Sequence, residues 1–478
     1  MAAAPQREFE HLREHSIGLP GVLFQSVTHM APGAAIAFSI LVSVQFAGPT
    51  LPLSVLFALI ACLLVANSIG QLAKQIPSAG GLYAYVSQAL GSRAGFFTGW
   101  VFLLFEPLVF PFIILVFATA TEDVFKNELG IDISWWPWVL VGAAIVFALT
   151  YRDVRISAQA GVILGLFEIV VFAALAIWML ISNVGDLDLR AFDPSNATAG
   201  SFNGVFKGMI FGILAFIGFE ASAPLGEEAK HPRRTIPRAV VLSALSIGLL
   251  YVLASYAWVY GAGFDNFVKQ ATTNPDPWRA LATVFWGGGW VLIFLAIINS
   301  AIANANAGVN AATRVLYAMA RNGAAPRALA RTHREFRTPH VAIIVNVIVG
   351  TVIALLLGAI WGPVEAYATI GTAVTVVVIV IYILVCLGTI VFYRRHRPSE
   401  FNPLVHAVFP VLGALAFAFP LYYQYKDAPD YPIRWGNCFA IAWMVAGVAL
   451  TAWIARARPS ALEAADRVFV EDETVSVP

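Results

Sequence analysis

Residues 28–35 of the chain read Thr-His-Met-Ala-Pro-Gly-Ala-Ala and place a proline and a glycine in the middle of a long apolar segment. Proline removes a backbone N–H donor and clashes with the preceding turn, so a helix formed by this segment must break here. Residues 216–224, Phe-Ile-Gly-Phe-Glu-Ala-Ser-Ala-Pro, carry a similar combination much later in the chain. The sequence therefore predicts two helices with internal breaks.

The segments around these breaks are too apolar for a protein dissolved in water. The 478-residue chain is 59% hydrophobic and only 12% charged, with a mean hydropathy of +0.77, so lipid must cover part of its surface. A stretch of about 20 apolar residues spans the hydrocarbon core of a bilayer. The apolar stretches predict twelve membrane helices, at residues 21–47, 52–73, 95–121, 136–151, 157–183, 203–226, 239–261, 282–320, 341–361, 364–393, 403–424 and 435–456.

The basic residues support this arrangement because they cluster on alternate connections. If both termini lie on the same side of the membrane, 22 of the 29 lysines and arginines face that side. The positive-inside rule then predicts a multi-pass protein of the plasma membrane with both termini in the cytoplasm. The net charge of +1 argues against a nucleic-acid partner.

The two breaks are more informative together than either is alone. A single proline in a membrane helix is compatible with a simple packing kink. Two breaks five helices apart indicate an inverted repeat, in which the first and sixth helices open at the middle of the bilayer. This pattern favours a transporter over a membrane enzyme or a channel. The chain contains neither a His-Glu-x-x-His motif nor a phosphate-binding Gly-x4-Gly-Lys-Ser/Thr loop, and a channel would require a filter of repeated loops or charged rings.

Three further stretches carry distinctive residue patterns. They are residues 218–239, from Gly-Phe-Glu-Ala-Ser to Ile-Pro-Arg-Ala, residues 71–85, from Gln-Leu-Ala to Tyr-Ala-Tyr, and residues 311–323, from Ala-Ala-Thr-Arg to Arg-Asn-Gly. Over roughly residues 20–455 the chain resembles the amino acid-polyamine-organocation permeases. The resemblance implies an all-α membrane protein of twelve helices, with a LeuT-type 5+5 inverted repeat and broken helices 1 and 6. Many members have a glycine-rich first break, from which Met-Ala-Pro-Gly-Ala departs.

The resemblance also implies how the chain is divided. A cytoplasmic N-terminal tail and a cytoplasmic C-terminal tail flank the two repeats and two added helices. The expected parts are residues 1–20 (N-terminal tail), 21–202 (helices 1–5 and an outer loop), 203–400 (helices 6–10), 401–456 (helices 11 and 12) and 457–478 (C-terminal tail).

The substrate site is expected at the two breaks. Amides freed at the start of a half-helix attract a carboxylate, and orphan carbonyls at the end of a half-helix accept from an ammonium group. By position in the family, the resemblance carries the carboxylate role to Ala31, Pro32, Gly33 and Ala34. It carries the amine role to Phe216, Ile217 and Gly218. Phe216 and Phe219 are candidates for an aromatic lid, the alternative being lipid-facing or core positions.

Three carboxylates lie within the apolar helices, at Glu106, Glu168 and Glu220. Each would cost about 2.5–3.5 kcal/mol if it faced lipid at the bilayer centre, so all three should face the protein interior. Glu106 falls on the turn of helix 3 that lines the side-chain pocket in cation-selective relatives. A carboxylate there would complement a distal ammonium group. The alternative is a structural pair with another side chain.

Glu168 and Glu220 are candidates for gating or proton coupling. Glu168 falls where some proton-coupled relatives carry a lysine that stands in for a sodium ion. Glutamate reverses that charge, so Glu168 would instead titrate as a proton carrier. Glu220 follows the second break by two residues, and the alternative to a gate is a purely structural role. Helix 8 adds a polar stripe, which either lines the site or joins neighbouring helices, formed by Asn299, Ser300, Asn304, Asn306 and Asn310.

Together these features predict a secondary transporter that moves amino acids or related amines by alternating access. Glu106 favours cationic amines such as polyamines, and the alternative is a permease or exchanger for neutral amino acids. Protons are favoured over sodium as the coupling ion, because residues 299–313 offer only Ser300 and Thr313 as hydroxyl ligands. The expected partners are the small-molecule substrate, H+ and the lipid bilayer, with no catalytic residue, cofactor or bound metal.

Overall fold

A computed structural model describes residues 12–457 apart from 153, 199, 275 and 427–430, and it leaves the side chains of residues 154–156 undescribed. Every regular element within these residues is a helix. One isolated β-bridge joins Ile17 to Ala229. Of the predicted tails 1–20 and 457–478, only residues 12–20 and Ala457 belong to the described part.

The described chain forms sixteen helices, α1 to α16, of which α2 is built from three consecutive helical pieces. Their bounds are Leu19–His29 (α1), Pro32–Ala34 with the π turn Ala35–Ser39 and Ile40–Ala47 (α2), Leu51–Gln75 (α3), Gly81–Leu90 (α4), Ser92–Glu128 (α5), Trp135–Tyr151 (α6), Val154–Ser182 (α7), Ser201–Phe216 (α8), Pro232–Gly261 (α9), Phe267–Thr273 (α10), Pro277–Trp286 (α11), Trp290–Arg321 (α12), His340–Trp361 (α13), Pro363–His396 (α14), Phe409–Lys426 (α15) and Arg434–Ala457 (α16). Short 3-10 turns connect several of them, and the π turn Leu404–Val408 precedes α15.

Many of these helices are long enough to cross a membrane. By length and hydropathy, nine segments of the described chain are able to span a bilayer. The first, Leu19–Gln75, is 57 residues long and contains α1, α2 and α3, and the shorter apolar helices α6 and α8 are additional to the nine. Large apolar side chains such as Ile163 (68% exposed) and Leu415 (62% exposed) point outward. The described part of the chain is therefore all-helical, and the protein is a multi-pass membrane protein.

Several predicted helix bounds were wrong, since the predicted helix 95–121 extends to Glu128 and the predicted helix 203–226 ends at Phe216. Two further differences have identifiable reasons. Helix α9 begins at Pro232, well before the predicted residue 239, because its first turns carry arginines that extend beyond the apolar layer. The predicted continuous helix 282–320 is interrupted at Gly287–Gly289, which separates α11 from α12. Three consecutive glycines lose too much conformational entropy to favour a regular helix.

The broken helix α1–α2 lies at the centre of the bundle. Helix α1 packs against α7, α9 and α12, and α5 packs against α12 and α14. Small residues allow some of these close approaches, as where Gly70 of α3 faces Pro237 of α9. This packing brings the carboxylates of α5 and α7 to the break between α1 and α2.

Candidate functional site

The two interrupted helices meet at their breaks. Ala31 adopts a left-handed conformation with φ +47° just before Pro32, which disfavours the right-handed helical region for the preceding residue. Gly218 has φ +118°, and a Cβ placed there would lie 2.6 Å from the backbone C and O of His29. The hydroxyl of Tyr251 lies 2.9 Å from Met30 O and 3.0 Å from the carbonyl of Ala215, sharing its proton between the ends of α1 and α8.

The amides at the start of α2 are bonded by side chains from other helices. Gly33 N donates to Oε2 of Glu168 on α7 over 2.9 Å. Ala34 N donates to Oγ of Ser300 on α12 over 3.1 Å. Glu168 is completely buried, so a protein carboxylate occupies the positive end of this half-helix.

The second break is bonded in a similar way, but by its own carboxylate. Gly218 N donates to Oε2 of Glu220 over 3.1 Å. Ser222 N donates to Oγ of Ser26 on α1 over 3.0 Å, which ties the segment after the break to helix α1. Glu220 lies close enough to Glu106 for the two carboxylates to interact electrostatically.

Glu106 has a partner that the sequence analysis did not identify. Its Oε1 atom lies 3.2 Å from Nε2 of His29, the last residue of α1, and both side chains are buried. The amide of Asn304 on α12 donates to the carbonyl of His29. Several other buried side-chain atoms of this region have no hydrogen-bond partner among the described residues, namely Glu168 Oε1, Glu220 Oε1, Asn304 Oδ1, His29 Nδ1 and Tyr382 Oη.

A small cavity of about 40 Å³ lies beside the first break. Three of the predicted substrate-binding residues line it, Ala31, Ala34 and Ile217, together with His29 and Asn304. The remaining wall is apolar, formed by Met30, Ala35, Val109, Phe112, Ile113, Leu214, Ala215 and Val374 with Ser39 and Tyr367. A space of this size holds a few water molecules at most, so the cavity must enlarge before an amino acid or a polyamine can enter.

The other predicted site residues lie behind the cavity wall. The ring of Phe216 packs edge-on against Tyr251 at 5.2 Å, and the ring of Phe219 contacts Tyr382 at 5.3 Å. Both phenylalanines are fully buried and neither faces lipid. Pro32, Gly33, Gly218 and the three carboxylates are not among the residues that line the cavity.

A larger space of about 410 Å³ adjoins the cavity on the side of Lys207 and Gln424. The two spaces share Phe112 and Tyr367, whose rings stack at 4.4 Å. This aromatic pair therefore lies between the small cavity and the larger space. Sequence reasoning missed both residues, because an aromatic residue in an apolar helix gives no signal of its own.

The opposite end of the bundle is closed by ion pairs. Arg314 of α12 and Glu228 approach to 2.9 Å, and both side chains are fully buried. Arg321 and Glu227 approach to 2.6 Å nearby. Over the described ranges, no group of three or more His, Cys, Asp or Glu side chains is arranged to hold a metal ion.

Comparison with known proteins identifies the family. The sequence pattern of the amino acid permease family matches residues 22–450. The chain belongs to this family. In its structure, the permease resembles a manganese transporter from Eremococcus coleocola, which was solved as a mutant. The TM-score is 0.56, and the match covers 93% of this chain and 94% of the transporter. Their sequence identity is 12%, so this likeness concerns the fold alone.

Several curated relatives carry names that describe transport. The permease is 28% identical over 311 residues to the low-affinity putrescine importer PlaP of Escherichia coli K12, covering 64% of this chain and 66% of the importer, slightly under two thirds of its length. It is 26% identical over 388 residues to the branched-chain amino acid permease BcaP of Bacillus subtilis 168, covering 79% of this chain and 80% of that permease. It is 25% identical over 405 residues to the serine/threonine exchanger SteT of the same organism, covering 83% of this chain and 86% of the exchanger.

Proposed function

We propose that this permease is a secondary transporter that moves amines and amino acids across the plasma membrane by alternating access, with cationic amines preferred. The observation that carries the proposal is the set of unpaired buried oxygens beside the two helix breaks. Glu220 and Asn304 each present an oxygen with no hydrogen-bond partner among the described residues, and the nearby Glu106 is paired with His29. Buried acceptors are costly unless a donor reaches them, and an ammonium group supplies three donors.

The position of Glu106 supports a role in recognising a cation. The carboxylate is 2% exposed and faces the end of α1 through His29. A substrate ammonium that entered between α1 and α5 would replace His29 as the partner of Glu106. The relative named as a putrescine importer is consistent with such a substrate.

Neutral amino acids remain the second candidate because of the cavity lining. Val109, Ile113, Leu214 and Val374 give it a largely apolar wall, which suits an aliphatic side chain. The relative named as a branched-chain amino acid permease is consistent with this candidate.

The proposal includes an architecture and a coupling ion. It assigns twelve membrane helices in a 5+5 inverted repeat, with residues 21–202 and 203–400 as the two halves and both termini in the cytoplasm. The breaks between α1 and α2 and after α8 support this pairing. Protons are the proposed coupling ion, with Glu168 and Glu220 as their carriers. Glu168 faces Gly33 and Ser300, and Glu220 faces Glu106, His29 and Tyr382.

Substitution of Glu106 tests the substrate preference. Glu106→Gln should weaken putrescine binding roughly ten- to a hundredfold, because loss of a charge-assisted hydrogen bond costs about 1.5–3 kcal/mol. Leucine binding should change little. The measurement is counterflow of both labelled compounds in proteoliposomes, reported as the ratio of their affinities, because misfolding would weaken both alike.

Two further measurements complete this experiment. Glu122→Gln, near the outer end of the same helix, is the matched control and should leave the ratio unchanged. Uptake with and without an inward proton gradient tests the coupling ion. If the unsubstituted protein binds leucine better than putrescine, the neutral amino acid candidate replaces the cationic one. If neither compound is transported by folded protein, the proposed function is lost.

A further inference from the structure

The backbone amides at the break between α1 and α2 are all engaged within the protein. Those of Gly33 and Ala34 are bonded by Glu168 and Ser300, over 2.9 and 3.1 Å. The other three donate to carbonyls of the same segment, and they belong to Met30, Ala31 and Ala35. Pro32 has no N–H group. A carboxyl group is thus already present at the start of this half-helix, and it is part of the protein.

The Glu168 carboxylate is held firmly in this position. The side chain is completely buried, and Phe172, one turn later on α7, packs against the same break. A Cβ placed on Gly33 would lie 2.9 Å from Cε2 of Phe172 and 3.3 Å from Cβ of Ser300. A group fixed in place by its helix loses little freedom when it bonds an amide, so it competes strongly with any carboxylate that arrives from solution.

We propose that Glu168 is a tethered carboxylate that fills the donor site a substrate carboxylate would need, and that it thereby selects amines without a carboxylate group. This inference rests on the proposed transport function and names its substrate class. An α-amino acid would have to displace Glu168 and leave that carboxylate buried without its donor. An amine avoids this displacement, because it makes no demand on the amides of Gly33 and Ala34.

The remaining polar atoms of the site point to the same class of substrate. Asn304 lines the cavity, and its buried Oδ1 atom has no hydrogen-bond partner among the described residues. The same is true of one oxygen of Glu220, and the Glu106 carboxylate lies nearby with His29 as its partner. These oxygen acceptors attract an ammonium, whereas a substrate carboxylate would add a further carboxyl group beside the three that the protein already places here.

Matched pairs of compounds isolate the effect of the carboxylate. Cadaverine and lysine differ only by the α-carboxylate, and so do isoamylamine and leucine. Affinities would be measured by counterflow and by competition in proteoliposomes that contain the full chain. In the unsubstituted protein we expect each amine to bind about tenfold or more tightly than its amino acid. The leucine pair makes this expectation independent of any cation site at Glu106.

Substitutions at the donor site then test the cause. Glu168→Ala releases the amide of Gly33, so the affinities for lysine and leucine should rise about tenfold relative to those for the corresponding amines. Ser300→Ala releases the amide of Ala34 and should shift both ratios in the same direction. Glu168→Gln keeps an acceptor oxygen and should retain most of the preference. Glu365→Gln, on an exposed residue of α14, is the control and should leave both ratios unchanged.

The outcomes separate this inference from the proposed function. The inference is supported if the unsubstituted protein prefers the amine in both pairs and this preference decreases in Glu168→Ala. Equal or tighter binding of lysine and leucine by the unsubstituted protein overturns it, as does a preference that Glu168→Ala and Ser300→Ala both leave intact. If Glu168→Ala does not fold, the ratios of the unsubstituted protein and of Ser300→Ala decide. Failure of all four compounds to be transported by folded protein would instead overturn the transport function.

Discussion

Single residues hold the two helices open at their breaks. Ala31 is kept at φ +47° by the proline that follows it, at a cost of about 1–2 kcal/mol for a residue that carries a Cβ. Gly218 has φ +118° and lies against the backbone of His29, where no side chain fits. Backbone strain of this kind persists only where the surrounding structure holds the strained residues in place.

Gly218 is therefore the residue whose substitution should be most damaging at the breaks. Gly218→Ala should destabilise the protein by about 1–3 kcal/mol and lower transport at least tenfold, because the added Cβ would force the breaks of α1 and α8 apart. Gly288→Ala is the matched control, since a Cβ there meets no atom within 4 Å. Thermal unfolding in detergent and uptake in proteoliposomes measure both effects. Equal stability and equal uptake of the two variants would contradict this account.

At the level of elements, α12 and the segment after α8 close one end of the bundle. Besides its pair with Glu228, Arg314 donates to the side-chain oxygen of Asn310 over 2.9 Å. The carbonyl of Glu228 accepts from the amides of Ser16 and Ile17, which attaches the N-terminal segment to the same closure. Opening this end requires that the buried ion pair separate.

The closure predicts a difference between buried and exposed ion pairs. Arg314→Met should cost about 3–5 kcal/mol, because it leaves the Glu228 carboxylate buried without a charged partner. The double variant Arg314→Met with Glu228→Leu should recover most of that loss. Arg397→Met, which removes the exposed pair with Glu400, should cost about 0–1 kcal/mol. Thermal unfolding of the four proteins tests this, and a double variant no more stable than Arg314→Met would refute it.

For the whole molecule, the proposed orientation predicts which residues an impermeant thiol reagent reaches. Cys438 is exposed and would first be replaced by serine. In intact cells Ser195→Cys should then be labelled, because this exposed residue lies on the proposed outer loop, whereas exposed Lys230→Cys should react only after permeabilisation. Labelling of Lys230→Cys in intact cells would reverse the orientation. The buried residues Glu228 and Thr332 would not report topology at all.

The breaks and the membrane character of the chain were predictable from the sequence because their causes are local. Proline cannot continue a helix wherever the rest of the protein lies, and a long apolar stretch prefers lipid in any fold. For the same reason the predicted break between residues 28 and 35 coincides with the observed interruption at Met30 and Ala31. The interruption at Gly287–Gly289 was equally local, and the triple glycine was the signal that should have revealed it.

Only the tertiary structure decided what each buried carboxylate touches. Glu168 reaches Gly33 across 135 positions of the chain, and Glu106 reaches His29 from a different helix. These contacts depend on which helix faces are packed together and at what height, and that is the outcome of many side-chain contacts along α1, α5, α7 and α12. The sequence determined that three carboxylates must lie inside the protein because lipid rejects them, while the packing of the helices determined that one of them would bond the break itself.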